Sequence, residues 1–231
     1  LVILSLKIIK EHKEYSFLCL IQIRFKLSIY KKYLHSYATP LTMTSLLTYV
    51  KNHLPIIILG KEFELETVAV FSILKNFFKA LHTLAGSFIG SLTSKFVEMK
   101  NDQNKFKKVL NSIYYGTLIV RIFIYIIMIV FIEYLFIIYN LENSYINKLL
   151  VFILGIEFIV AGMMTVYGTL LSLKTDTKKL FYTSLGRFFL ECILIYFFLF
   201  EYGILGAALI LLLSRYFETI LAYLFIRKEK V

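Results

Sequence analysis

The chain contains no tryptophan, two cysteines, two prolines and only 15 acidic residues against 26 basic ones. Cys19 lies in an amino-terminal linker and Cys192 in the middle of an apolar run, so neither a disulfide framework nor metal-ligand spacing is available. No metal or cofactor is expected, and both thiols read as inert apolar fillers. Acidic residues are confined largely to short connections, and no Asp-x-Asp pair occurs. A membrane glycosyltransferase or a polymerase would need a sizeable loop with catalytic groups, so the chain is not expected to be an enzyme. Scarce proline leaves long helices unbroken: Pro40 opens one, and Pro55 interrupts it. The absence of tryptophan, beside abundant Ile, Lys, Asn, Phe and Tyr, suits an A/T-rich coding sequence and carries no functional weight.

What is present is apolar. Hydrophobic residues make up 59% of the chain and mean hydropathy is +0.75, well beyond the roughly 45–50% of a soluble domain. A helix needs about 20 apolar residues to cross a hydrocarbon core of about 30 Å. Such runs lie near 34–60, 67–93, 109–139, 147–173, 180–201 and 204–226, which predicts an all-α polytopic membrane protein with six transmembrane helices. The segment 1–33 precedes them. LVILSLKIIK starts it at Leu1 and reads as the cytoplasmic end of an earlier span, so the chain is expected to be a carboxyl-terminal fragment. Residues 11–33 alternate basic and apolar groups, as an amphipathic helix on an anionic leaflet does; an ordinary solvated linker would read the same way.

The basic residues sort by side. Seven lie in 1–33, five in 94–108 (Lys95, Lys100, Lys105, Lys107, Lys108), three at Lys174, Lys178 and Lys179, and three at Arg227, Lys228 and Lys230. The opposite connections hold only Lys61 and Lys148, with Glu62, Glu64, Glu66, Glu142 and Glu201. Positive loops stay cytoplasmic, which puts both ends of the chain inside. The net charge of +11 is thereby a topology signal. It is dispersed over four segments and forms no single face, so no nucleic-acid partner is expected.

Six cations escape this sorting: Lys51, Lys75, Lys79, Arg121, Arg187 and Arg215 fall within the spans. A mid-bilayer cation costs about 2.5–3.5 kcal/mol on insertion scales, so each must pair, snorkel or face a wet cavity. Lys75, Lys79, His82 and Gly86 follow an i, i+4, i+7, i+11 series on one helix face, and no carboxylate shares that span. Lys51 lies at a matching depth in the first span, at about 1.5 Å per residue. One reading gathers Lys51, His53, Lys75 and Lys79 around an external anion, with Arg121 as a further contact. The other pairs these amines with carboxylates of different helices or lets them snorkel. Arg187 with Glu191 and Arg215 with Glu218 have the spacing of structural ion pairs on their own helices. Glu157 has no basic residue within a turn; it is a partner for Arg121, Lys75 or Lys79, or a protonatable group for ion coupling. Tyr33, Tyr134, Tyr139, Tyr145 and Tyr202 fall near span ends as interface anchors, while Tyr49, Tyr114, Tyr115 and Tyr167 are deeper and either pack or stack on sugar rings.

Residues 202–223, YGILGAALILLLSRYFETILAY, resemble the last span of polysaccharide flippases, where a G-I-x-G-A-A motif opens the helix: here Gly203, Ile204, Gly206, Ala207 and Ala208. Residues 37–78, with Pro40, Leu59-Gly60 and VAVFSILKNF, resemble the seventh and eighth spans of the same proteins, although Ala69 and Phe71 replace the usual Gly and Tyr. A proline often found near the cytoplasmic end of the latter helix is also absent from GSFIGSLTSKF. The resemblance is to the Wzx-type O-antigen branch of the multidrug, oligosaccharidyl-lipid and polysaccharide exporter superfamily. It implies one lobe of a two-lobe transporter of about 12 helices in a bacterial inner membrane, missing its amino-terminal lobe. The implied partner is undecaprenyl-diphosphate-linked oligosaccharide, moved from inner to outer leaflet by alternating access for lipopolysaccharide or another surface polysaccharide. A flippase for lipid-linked peptidoglycan precursors and a drug or cation exporter of the same superfamily are the alternatives; the latter would favour carboxylates over lysines.

Overall fold

In the computed structural model, residues 34–98, 103–173 and 177–228 are described. The segment 1–33, with its expected amphipathic helix, Cys19 and Tyr33, lies outside the described residues. All regular structure within them is helical: α1 (Thr39–Glu62, led by a π-helical turn Leu34–Ala38), α2 (Leu65–Glu98), α3 (Gln103–Val130), α4 (Ile132–Ile138), α5 (Tyr145–Leu173), α6 (Thr177–Leu194) and α7 (Phe200–Lys228). The short α4 continues α3 across a break at Phe131, which leaves six principal helices.

Among the described residues, four stretches are long and apolar enough to cross a membrane: Leu65–Ser87, Lys108–Val130, Tyr145–Ser172 and Thr177–Arg227. The difference from the six expected spans has two physical sources. Helix α1 carries Thr, Ser, Lys51, Asn52 and His53 through its length and is too polar to be counted. Its hydroxyls are turned back onto the helix, Thr42 donating to the Ala38 carbonyl at 2.9 Å and Thr48 to that of Thr44 at 2.8 Å, which satisfies them without water. The second source is the 51-residue stretch Thr177–Arg227, which holds both final expected spans.

That stretch doubles back. Gly203 has φ 54°, ψ −126° inside an otherwise helical run, a conformation open to glycine. Beyond it α7 returns along α6: Ser214 reaches Glu191 at 2.8 Å and Glu218 reaches Arg187 at 2.9 Å, so sequence positions rising on one helix meet falling positions on the other. Gly206 seats against the Phe198 carbonyl so closely that a Cβ would overlap it. Ala207 and Ala208, both fully buried, complete the tight crossing. The G-I-L-G-A-A residues are therefore the parts of a helical hairpin.

The other turns also follow from local chemistry. Pro40 occupies the first turn of α1, where its missing N–H costs nothing. Asn140 takes φ 51° and closes α4, the Leu141 N–H reaching the Phe136 carbonyl at 2.8 Å and the Asn140 N–H that of Ile137 at 3.2 Å; this is a Schellman arrangement with Asn in the left-handed position. Ser144 then caps α5, its Oγ accepting the Asn147 N–H at 3.2 Å.

Glu66, Asn140, Glu142 and Ile204 line one shallow pocket, and Phe63 packs on Gly203. The three turns 63–64, 139–144 and 202–203 thus share one end of the bundle. The main apolar core sits beneath them, built from Leu59 of α1, Phe71 and Leu74 of α2, Phe136 of α4, Leu150 and Leu154 of α5, and Leu199 and Ala207 at the hairpin. Small clusters around Val166 with Leu170 and around Leu171 with Ala222 hold the opposite half. Between the two halves lies a polar layer.

Candidate functional site

The polar layer is organised by one carboxylate. Glu218 of α7 is 3% exposed, and its two oxygens receive four donors. Lys51 Nζ of α1 is 3.2 Å from Oε1 and Ser184 Oγ of α6 is 3.3 Å from it. Arg187 Nη1 of α6 and Arg215 Nη1 of α7 are each 2.9 Å from Oε2. Arg187 also donates through Nε to Glu191 at 2.6 Å, and Glu191 accepts from Ser214 at 2.8 Å. Arg215 reaches across to Glu157 of α5 at 2.9 Å. A carboxylate removed from water needs several donors of this kind to be held charged, and here one hub binds α1, α6 and α7 together, with α5 attached through Glu157.

The intrahelical contacts Arg187–Glu191 and Arg215–Glu218 have the three- and four-residue spacing that brings side chains together on a helix. The interhelical ones carry no such signal. Lys51 is separated from Glu218 by 167 positions, and its amine is buried in this pair instead of joining Lys75 and Lys79 around an open site. Glu157 finds Arg215, which was not among the three partners weighed from sequence. Glu218 and Arg187 thus have wider roles than a pair on their own helix: each joins helices.

Beside the hub lies a cavity of about 270 Å³. Its walls bring Lys75, Lys79 and His82 of α2 opposite Glu157 of α5, Arg187 of α6 and Arg215 of α7, with Asn52 of α1 at one side. The α2 stripe follows from helical spacing. Lys75 donates to the Asn52 carbonyl and lies 5.8 Å from the Phe71 ring centroid, the range of a cation–π contact. Neither Lys75 nor Lys79 has a carboxylate partner among the described residues. His53 is turned from this cavity onto Tyr49, ring centroids 4.5 Å apart.

Arg121 of α3 stands behind the wall. It is fully buried, donates to the Phe158 carbonyl at 2.5 Å, lies 3.0 Å from His82 Nδ1 and stacks over the Phe158 ring at 4.6 Å. Room for it comes from Gly162, where a Cβ would overlap its side chain. Its Nε and Nη2 have no hydrogen-bond partner. The polar layer therefore holds three carboxylates, Glu157, Glu191 and Glu218, all in ion pairs with Lys51, Arg187 and Arg215. Lys75, Lys79 and Arg121 are cations in excess of them. Such a cavity, bounded by apolar helices, favours an anion and repels a cation.

No group of His, Cys, Asp or Glu among the described residues is arranged to hold a metal ion. No family model, curated protein or solved structure matches this chain; helix length and apolar composition make it a helical protein with four candidate membrane-spanning helices among the described residues.

Proposed function

We propose that this chain forms one six-helix lobe of a polysaccharide flippase, which moves undecaprenyl-diphosphate-linked oligosaccharide across a bacterial inner membrane by alternating access. The carrying observation is the cavity that Lys75 and Lys79 enter without a carboxylate of their own. A diphosphate brings about two negative charges into a region where an unpaired ion is costly, and two ammonium groups offset that charge. Lysine presents a point charge on a flexible stem and not a rigid fork, so a headgroup can slide between two such residues. The resemblance of residues 37–78 and 202–223 to flippase spans supports the same reading. The remaining span assignments, α1 and the two arms of the α6–α7 hairpin as separate crossings, belong to this proposal, as does the orientation with both chain ends inside.

A cation exporter would offer a carboxylate to its cargo, but Glu157, Glu191 and Glu218 are each committed to an arginine or lysine. The test is replacement of Lys75 and Lys79 together by Gln. Surface polysaccharide should be lost at normal protein level, with lipid-linked repeat units accumulating in the inner leaflet. Full complementation by the double variant would sink the proposal.

A further inference from the structure

A second cavity, of about 290 Å³, opens between α3, α5 and α7, and half of its eight lining residues are tyrosines: Tyr114, Tyr167, Tyr216 and Tyr223. We infer that it is a saccharide subsite, an assignment that rests on the proposed function and names where its cargo's sugars dock.

Two observations carry it. The rings come from three different helices and converge: Tyr114 lies stacked on Tyr167 at 5.9 Å with 26° between planes, and Tyr223 meets Tyr167 at 6.0 Å. Tyr114 and Tyr167 are half-buried while Tyr216 and Tyr223 are exposed, so the four make a concave wall open on one side. The chemistry is amphipathic, since an aromatic face takes the C–H face of a pyranose while phenol groups meet its hydroxyls. Thr219 of the same wall donates its own proton to the Arg215 carbonyl at 2.9 Å, which leaves its oxygen free to accept. Val160, Met163 and Ile220 complete the wall with apolar surface, and the phenol and threonine hydroxyls beside them are groups that an acyl chain would leave unused.

The pocket and the charged cavity share α5 and α7 as walls but open from different faces of them, since Val160 and Ala161, like Arg215 and Tyr216, are successive helical positions, turned about 100° apart. From Arg215 to Tyr223 is eight residues, about 12 Å along the helix.

The chain has no tryptophan, so a single Tyr216→Trp reports from the pocket without background. The 231-residue chain carrying it is placed in lipid nanodiscs and titrated with maltotriose, a neutral sugar. The expected result is a saturable fluorescence change whose half-point rises at least tenfold when Tyr167→Leu is added and stays in place with Tyr167→Phe, the melting transition being unchanged. No response, or an equal response in the Tyr167→Leu protein, overturns the subsite. Quenching by bromine-labelled acyl chains with no effect of sugar also overturns it and gives the pocket to lipid. Inorganic diphosphate, titrated separately by calorimetry, tests the charged cavity; its failure to bind beside an intact sugar response would overturn the flippase reading and still support the subsite.

Discussion

At the scale of single residues, Glu218 does more than any other polar group. Three cations and a hydroxyl converge on it, and they come from α1, α6 and α7. Arg187 keeps Glu191 and Arg215 keeps Glu157 if Glu218 loses its charge, but Lys51 keeps nothing and remains buried at 2% exposure. Glu218→Gln preserves the shape and removes the charge. It should cost about 3–5 kcal/mol, the range for breaking one side of a buried pair, and lower the melting temperature in detergent. Adding Lys51→Met should recover part of that loss, because it removes the stranded amine; an unchanged melting temperature in Glu218→Gln, or independent and additive effects of the two changes, would count against the hub.

At the scale of elements, the hairpin of α6 and α7 depends on two glycines with different duties. Gly203 supplies a positive φ, while Gly206 permits contact with the Phe198 carbonyl. A β-branched side chain at Gly203 should cost more than the roughly 1–2 kcal/mol of an ordinary left-handed residue, so Gly203→Val is expected to reduce the monodisperse fraction in size-exclusion chromatography. Gly206→Val strikes backbone, which cannot swing aside, and should reduce it further. A Gly206→Val protein as monodisperse as the native chain would refute this account of the turn. The existence of long apolar helices was legible in the sequence because length and apolarity are properties of one segment. The Lys75, Lys79 and His82 stripe was legible for the same reason, being set by helical spacing alone. The partners of Lys51 and Glu157 were not, since they depend on which helices become neighbours and at what depth. Residues Tyr216 and Tyr223 escaped notice because seven residues apart on one helix looks like packing until Tyr114 and Tyr167 arrive from elsewhere.

At the scale of the whole molecule, the ion pairs divide the bundle unequally. Helices α1, α5, α6 and α7 are fastened by the chain of contacts from Lys51 through Glu218 to Arg215 and Glu157. Among the described residues, α2 and α3 join them through no ion pair: Lys75 reaches the Asn52 carbonyl, Arg121 that of Phe158 and Tyr125 that of Phe152, and most of the rest is apolar packing. Apolar packing sets no charge pairs that a movement must break, whereas a multidentate charge cluster resists being pulled apart. With Cys19 and Cys192 replaced, spin labels at Ser45 and Leu224, which span the fastened part, should give one narrow distance distribution. Labels at Ser45 and Leu84 should give a broader one that shifts when diphosphate is added; identical widths would remove the distinction. Seen as a mechanical assembly, the molecule has a riveted frame and a sliding panel, and Lys75 and Lys79 ride on the panel. The charges that would grip a cargo are thus mounted on the part with the least holding it still.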